Sequence, residues 1–126
     1  MRDEYFTSTV EELGDGRAIL RLKGEIDIAT RPLLDEAMRG VANRGYDAVI
    51  MDGTEISFMD STGWHAFREG KRLIYGEGTK LILVASKAMR HVLELLAPTP
   101  LFAARVDSVD EAIALLDGRV DISSQD

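Results

Sequence analysis

The stretch from Ala48 to Gly63 constrains the fold of this chain more than any other part of the sequence. It begins with a continuous apolar run to Met51, which is typical of a strand buried on both faces of a sheet. From Asp52 to Met59, Asp, Gly, Thr and Ser residues predict a polar loop. The stretch closes on Asp60-Ser61-Thr62-Gly63, and a helical pattern follows. A buried strand that leads through a polar loop into a helix is where α/β domains usually place functional groups.

Before this stretch, the chain predicts a β-hairpin and a helix. Tyr5–Glu12 and Arg17–Lys23 alternate, and Gly14-Asp15-Gly16 between them is a strong turn signal. Gly24–Thr30 is interpreted as a polar connection, with Thr30 as the N-cap of a helix that ends near Gly45.

After this stretch, the sequence again shows helical patterns and short apolar runs that are typical of strands. Apolar residues at helical spacing predict helices that begin near Ser61, Ser86 and Ser108, the last with a capping box. Lys80–Val84 reads as a second buried strand, and Leu101-Phe102 as a short edge strand. The predicted fold is α/β, with a mixed sheet of about four to five strands, parallel inner strands and about four helices.

Length and composition limit the number of domains, the kinds of site and the location that we expect for this protein. The 126 residues suit one domain, which we place at 1–118, with 119–126 as a disordered C-terminal tail. Cysteine is absent, so disulfides and thiolate metal sites are excluded. The net charge of −7 argues against direct nucleic-acid binding. No apolar run approaches the roughly 20 residues that span a bilayer and no signal peptide is visible, so we expect a cytoplasmic protein without membrane insertion.

Ser61 is the principal candidate site residue. Ser61 and Thr62 stand at a predicted helix start, where free N–H groups and a partial positive charge favour a phosphate. Helix capping is the simpler interpretation, since Asp, Ser and Thr are all preferred caps. However, several capping residues are stacked where one would suffice. We therefore interpret Ser61 as a phosphorylation switch, with Thr62 as a candidate second site, rather than as a catalytic nucleophile.

Other kinds of chemistry find little support in the sequence. Asp27, Asp52 and Asp60 could meet to bind Mg²⁺, but isolated loop and cap acids are far more common. His65 and His91 lack the spacing of metal ligands, and no nucleophile elbow surrounds Ser61. We therefore expect no metal, no cofactor and no enzymatic activity.

Three segments resemble the STAS domain of bacterial anti-sigma factor antagonists. They are Gly24-Glu25-Ile26-Asp27, Val49-Ile50-Met51-Asp52 and, above all, Ser57-Phe58-Met59-Asp60-Ser61-Thr62-Gly63. Ser108-Val109-Asp110-Glu111-Ala112 fits the segment that leads to the last helix of that family. The resemblance covers roughly residues 5–118, and Met-Asp-Ser-Thr-Gly is its most specific part. It implies a single STAS-like domain.

The resemblance also implies a function in transcription regulation. In that family, the serine after the aspartate is phosphorylated by an anti-sigma factor that is also a GHKL-type serine kinase using ATP. The unphosphorylated antagonist binds the anti-sigma factor and frees the sigma factor, and a PP2C-type phosphatase resets the switch. By position, Ser61 would be the phosphoacceptor, Asp27 and Asp60 would flank it at the recognition surface, and Thr62 and Gly63 would complete the motif.

Trp64 departs from the pattern of the family. The family commonly has Leu where this chain has Trp64, and Gly or Ala where it has His65. Trp64 is either a core residue or a partly exposed anchor for a particular partner, and self-association through it is left open. A second function also remains open, in which the domain is an unphosphorylated accessory or scaffold subunit of a transporter or sensory complex. A Ser61→Ala variant separates the two functions.

Overall fold

The computed structural model describes residues 5–75, 78–96 and 102–118. Strands and helices follow one another in the order predicted from the sequence. The elements are β1 (Phe6–Gly14), β2 (Arg17–Ile26), α1 (Arg31–Arg44), β3 (Ala48–Met59), α2 (Ser61–Tyr75), β4 (Lys80–Ala85), α3 (Lys87–Leu96), β5 (Ala104–Val106) and α4 (Val109–Leu116).

The strands form one mixed sheet in the order β1-β2-β3-β4-β5. Strand β1 pairs with β2 in an antiparallel hairpin, and the remaining neighbours are parallel. Each parallel pair is joined by a helical crossover, as parallel strands require. The predicted α/β class, with a mixed sheet and parallel inner strands, is confirmed. None of the helices in the described ranges is long and apolar enough to cross a membrane.

Helices cover the two faces of the sheet unequally. Helices α1, α2 and α3 pack against one face through a large core that includes Met38, Phe67 and Met89. The short helix α4 covers part of the opposite face, where Ala112 packs against Ile50 and Ile82. The centre of the sheet is therefore buried on both sides, which explains the continuous apolar run at the start of β3.

One predicted polar segment, Gly24–Thr30, is strand in its first part, and the other, Asp52–Met59, is strand throughout, so the prediction was wrong for these residues. Residues 27–30 connect β2 to α1, as predicted. Strand β2 continues through Gly24 to Ile26, and β3 continues through Asp52 to Met59. The pairing between the two strands persists, with register shifts between Arg21 and Lys23 and between Gly24 and Glu25. Such irregularities break the two-residue alternation of side chains. The continued strands therefore resemble loops in the sequence.

The last strand was also misplaced. Strand β5 is Ala104–Val106, where Ala104 and Val106 pair with Ile82 and Val84. Phe102 instead packs against the main core, with its ring centroid 6.0 Å from that of Phe67. Leu101 and the predicted tail at 119–126 lie outside the described residues.

Candidate functional site around Ser61

Asp27 and Asp60 follow the ends of two neighbouring parallel strands. Ile26, the last residue of β2, pairs with Met59, the last residue of β3. The backbone N–H of Asp60 donates to the carbonyl oxygen of Ile26 at 3.3 Å, which extends this pairing by one residue. The two aspartates therefore lie at the same edge of the sheet, at the start of the connections to α1 and α2.

Asp60 caps helix α2. Its Oδ1 atom accepts a hydrogen bond from the N–H of Thr62 at 2.9 Å, and its backbone oxygen accepts from the N–H of Gly63 at 3.0 Å. A carboxylate in this position satisfies a free N–H group and interacts favourably with the positive end of the helix dipole. The capping role that the sequence left open for Ser61 therefore belongs to Asp60.

Ser61 is the first residue of α2, and its side chain is exposed. Within the described residues, its hydroxyl makes no hydrogen bond. No histidine or carboxylate there is bonded to the hydroxyl to act as a general base. The hydroxyl is thus open to an external reagent, and it is held on a backbone whose position Asp60 fixes.

Asp27 organises the loop between β2 and α1. Its Oδ1 atom accepts hydrogen bonds from the backbone N–H groups of Ala29 at 2.9 Å and of Thr30 at 3.0 Å. The Thr30 side chain is only 2% exposed; its hydroxyl donates to the carbonyl oxygen of Glu25 at 2.7 Å and accepts from the N–H of Asp27 at 3.0 Å. Thr30 stands at the N-cap position of α1 as predicted, but it makes no side-chain cap hydrogen bond. It instead fixes the loop that carries Asp27.

Gly63 lets helix α2 lie against the ends of β2 and β3. A Cβ atom on this residue would stand 2.4 Å from Cγ of Met59 and 3.0 Å from Cγ2 of Ile26. Both neighbours are buried in the main core. The glycine therefore sets how closely the start of α2, and with it Ser61, approaches the sheet.

Trp64 is partly a core residue and partly exposed, so it has features of both interpretations of the sequence. The side chain is half-buried and packs against the main core. Its Nε1 atom is buried and has no hydrogen-bond partner among the described residues. The ring also contacts the His65 ring edge-on, at 4.9 Å between centroids, and the Arg68 guanidinium lies 4.6 Å above it. Sequence reasoning missed Arg68, although its spacing of four residues from Trp64 could have indicated the contact.

The third aspartate of the hypothetical metal site is placed elsewhere. Asp52 lies within β3, where its Oδ1 atom accepts from the backbone N–H and hydroxyl of Thr54, and its Oδ2 atom is 3.8 Å from Nε of Arg21. Across the described ranges, no group of three or more His, Asp or Glu side chains is placed to hold a metal ion. His65 and His91 are exposed on two different helices, α2 and α3.

A family model and several solved structures match this chain. The STAS domain model matches residues 9–112. An anti-sigma factor antagonist from Mycobacterium paratuberculosis has a similar structure, with a TM-score of 0.78, 24% sequence identity and coverage of 90% of this chain and 96% of that chain. The anti-sigma factor antagonist SpoIIAA in its unphosphorylated form gives a TM-score of 0.71 at 20% identity, with coverage of 91% and 100%. A search of curated protein sequences found no match.

The fold also occurs inside a larger protein. SLC26A9 matches with a TM-score of 0.66 at 12% identity, and the match covers 96% of this chain but 25% of that one. At these levels of identity, the structural matches establish the fold alone. The family model covers most of the chain, from the β1–β2 hairpin to α4, and includes Asp27 and Asp60 to Trp64. The chain therefore belongs to the STAS domain family.

Proposed function

We propose that this protein is an anti-sigma factor antagonist that works by partner switching, with Ser61 as its phosphorylation switch. The observation that carries the proposal is the division of roles at the start of α2. Asp60 caps the helix, and the exposed hydroxyl of Ser61 has no hydrogen-bond partner among the described residues. A serine needed for the fold would not be free for modification, whereas this one is available without disturbing the cap.

Phosphorylation here would affect binding more than folding. In the step, the Ser61 oxygen attacks the γ-phosphorus of ATP, the bond between that phosphorus and the ADP oxygen breaks, and the hydroxyl proton passes to a base of the kinase. The product carries about −1.5 to −2 charges at an exposed helix N-terminus, a position that tolerates anions. In an interface, the same charge buried without a partner would cost on the order of 3–5 kcal/mol, or more than a hundredfold in affinity.

The proposed partners follow from this switch. The unphosphorylated protein binds an anti-sigma factor with GHKL-type serine kinase activity, and a PP2C-type phosphatase removes the phosphate. The recognition surface comprises Asp27, Asp60, Ser61, Thr62 and Trp64, and Gly63, the remaining residue of the predicted site, is buried and holds the start of α2 against the sheet. These residues are supported as one surface by the pairing of β2 with β3, which brings Asp27 and Asp60 to one edge of the sheet. Structural similarity to SpoIIAA in both its unphosphorylated and phosphorylated forms supports the class of function.

The first test is intact-mass analysis of the protein recovered from its own host, with and without phosphatase treatment, followed by mapping of the modified residue. We expect a phosphatase-sensitive gain of one phosphate on Ser61, with Thr62 as the residue to check second. A protein that stays unmodified under every growth condition would contradict the proposal.

The match to SLC26A9 favours a second candidate, a scaffold or accessory domain without phosphorylation. A Ser61→Ala variant distinguishes the two. Under the switch proposal, it binds the anti-sigma factor constitutively and Ser61→Asp loses more than a hundredfold in affinity. Under the accessory proposal, Ser61→Ala behaves like the unaltered protein in the host. Isothermal titration with the purified kinase, together with a reporter of sigma-factor activity, measures both.

A further inference from the structure

Two cationic or potentially cationic side chains lie within the first two turns after Ser61, on the face of α2 that carries it. Ser61, His65 and Arg68 are exposed and are spaced four and three residues apart, which places them along one face of the helix. His65 and Arg68 have no carboxylate partner among the described residues. The nearby Glu69 instead pairs with Arg31 of α1 at 2.6 Å. The positive charge on this face is therefore not neutralised within the described part of the chain.

Trp64 holds both side chains in place. The Arg68 guanidinium lies over the ring of Trp64, a residue four positions nearer to Ser61 along the helix, and the His65 ring makes a T-shaped contact with the same indole. The indole itself is anchored in the main core. A guanidinium fixed in this way has lost part of its side-chain freedom before it meets an anion, which favours binding.

We propose that His65 and Arg68, positioned by Trp64, form a binding site for the phosphate of phosphorylated Ser61 within the same chain. The inference rests on the proposed phosphorylation of Ser61. An imidazole and a guanidinium both donate hydrogen bonds to phosphate oxygens, and guanidinium–phosphate bonds are charge-assisted. Asp27 and Asp60, at the sheet edge before the helix, repel the same dianion. His65 and Arg68 attract the phosphate, and the two aspartates repel it. The phosphate therefore lies against α2 and away from the two aspartates.

This arrangement gives Trp64 and His65 a role in regulation. The phosphate bound to α2 is neutralised and covered, so a phosphatase must first release it. We therefore expect the phosphorylated state to last longer than it would without the two side chains. Replacement of His65, or of Trp64 by a residue that is not aromatic, should shorten that state.

The test uses full-length protein with phosphoserine installed at position 61 during translation, followed by ³¹P NMR as the pH is varied. The titratable and charged groups considered around the phosphate are Asp27 and Asp60 at the sheet edge, His65 and Arg68 on α2, and the Arg31–Glu69 pair between α1 and α2. We expect the midpoint of the phosphate titration to rise by about half a pH unit in Arg68→Gln, and by a similar amount in His65→Gln, because each replaces a cationic or potentially cationic donor with a neutral amide. Arg72→Gln removes the same charge from an exposed position one turn further along α2 and is the matched control.

Further variants test the part played by Trp64. Trp64→Phe keeps an aromatic face beneath Arg68, and its midpoint should stay within about 0.2 pH unit of the unaltered protein, whereas Trp64→Leu should resemble Arg68→Gln. Equal midpoints in Arg68→Gln, His65→Gln and Arg72→Gln would overturn the inference. Since the phosphate is installed without a kinase, this result is independent of whether the host phosphorylates Ser61. Failure of the proposed function and failure of the phosphate site are therefore distinguishable.

Discussion

Serine stands at or next to the start of three helices, and the three positions differ in how the hydroxyl is used. The hydroxyl of Ser86 accepts a hydrogen bond from the N–H of Met89 at 3.2 Å, and that of Ser108 accepts from the N–H of Glu111 at 3.1 Å. Both serines precede their helices and cap them. Ser61 comes one residue later, inside α2, because Asp60 occupies the cap position. A shift of one residue thus separates a serine whose hydroxyl caps a helix from one whose hydroxyl makes no hydrogen bond within the described residues.

The start of α2 is tightly packed against the sheet. Gly63 has no room for a side chain, because its neighbours Met59 and Ile26 belong to the core. The helix start is therefore rigid, while the hydroxyl that it presents is free. A switch residue on a rigid support can be modified without local unfolding. Substitutions that disturb the packing of the site and substitutions that remove the hydroxyl should therefore have different effects.

The largest expected decrease in the free energy of unfolding is at Gly63. Gly63→Val places new methyl groups against Met59 and Ile26, and overpacking of this kind should lower the free energy of unfolding by about 3 kcal/mol. Gly40→Val is the control, because a Cβ on Gly40 of α1 meets no atom within 4 Å. Urea denaturation followed by circular dichroism measures both. If the two variants were equally stable, the close packing of α2 on the sheet would be wrong.

The next largest decrease in the free energy of unfolding is expected at Thr30, which fixes the loop that carries Asp27. Thr30→Val leaves the N–H of Asp27 and the carbonyl of Glu25, both part-buried, without the Thr30 hydroxyl as their partner, and should cost about 2 kcal/mol in the free energy of unfolding. Thr9→Val, at an exposed position of β1, should change it by less than about 0.5 kcal/mol. Thermal denaturation of the pair checks the result. A loss of the same size in both variants would show that the Thr30 hydrogen bonds contribute nothing.

The smallest effects test the three serines directly. Ser86→Ala and Ser108→Ala each remove a cap and should cost about 1 kcal/mol in the free energy of unfolding. Ser61→Ala removes no hydrogen bond within the described residues and should change it by less than about 0.5 kcal/mol, since alanine favours a helix slightly more than serine does. Chemical denaturation of the three variants resolves these values. A cost at Ser61 equal to that at Ser108 would mean that Ser61 is a cap after all.

Features that depend on neighbouring residues in the sequence were predicted well. Gly45 ends α1 with a left-handed φ of 65°, and Ser108 caps α4, as their local patterns indicated. The order of strands and helices was correct for the same reason, because each element carries its own periodicity and end signals. The similarity of Asp60-Ser61-Thr62-Gly63 to a known motif then located the candidate site.

Features that depend on contacts between distant segments were not predicted. The carboxyl end of β3 resembles a loop in the sequence, and only its pairing with β2 makes it a strand. The two register shifts in that pairing leave Ile56 and Met59 buried three positions apart, which no two-residue alternation predicts. The position of the Trp64 ring likewise depends on the core beneath it and on Arg68 above it. Sequence spacing could suggest these neighbours but could not decide between core and surface.

The unequal edges of the sheet have a consequence for the behaviour of the protein at high concentration. Strand β1 forms one edge along nine residues, while β5 at the other edge has only three. A long exposed edge is a template for aggregation, but β1 carries Glu11 and Glu12 and has a register shift just after them. Edge-to-edge contact of two copies would bring these acidic segments together, in a chain whose net charge is already −7. The β1–β2 hairpin therefore also opposes aggregation of the protein at high concentration.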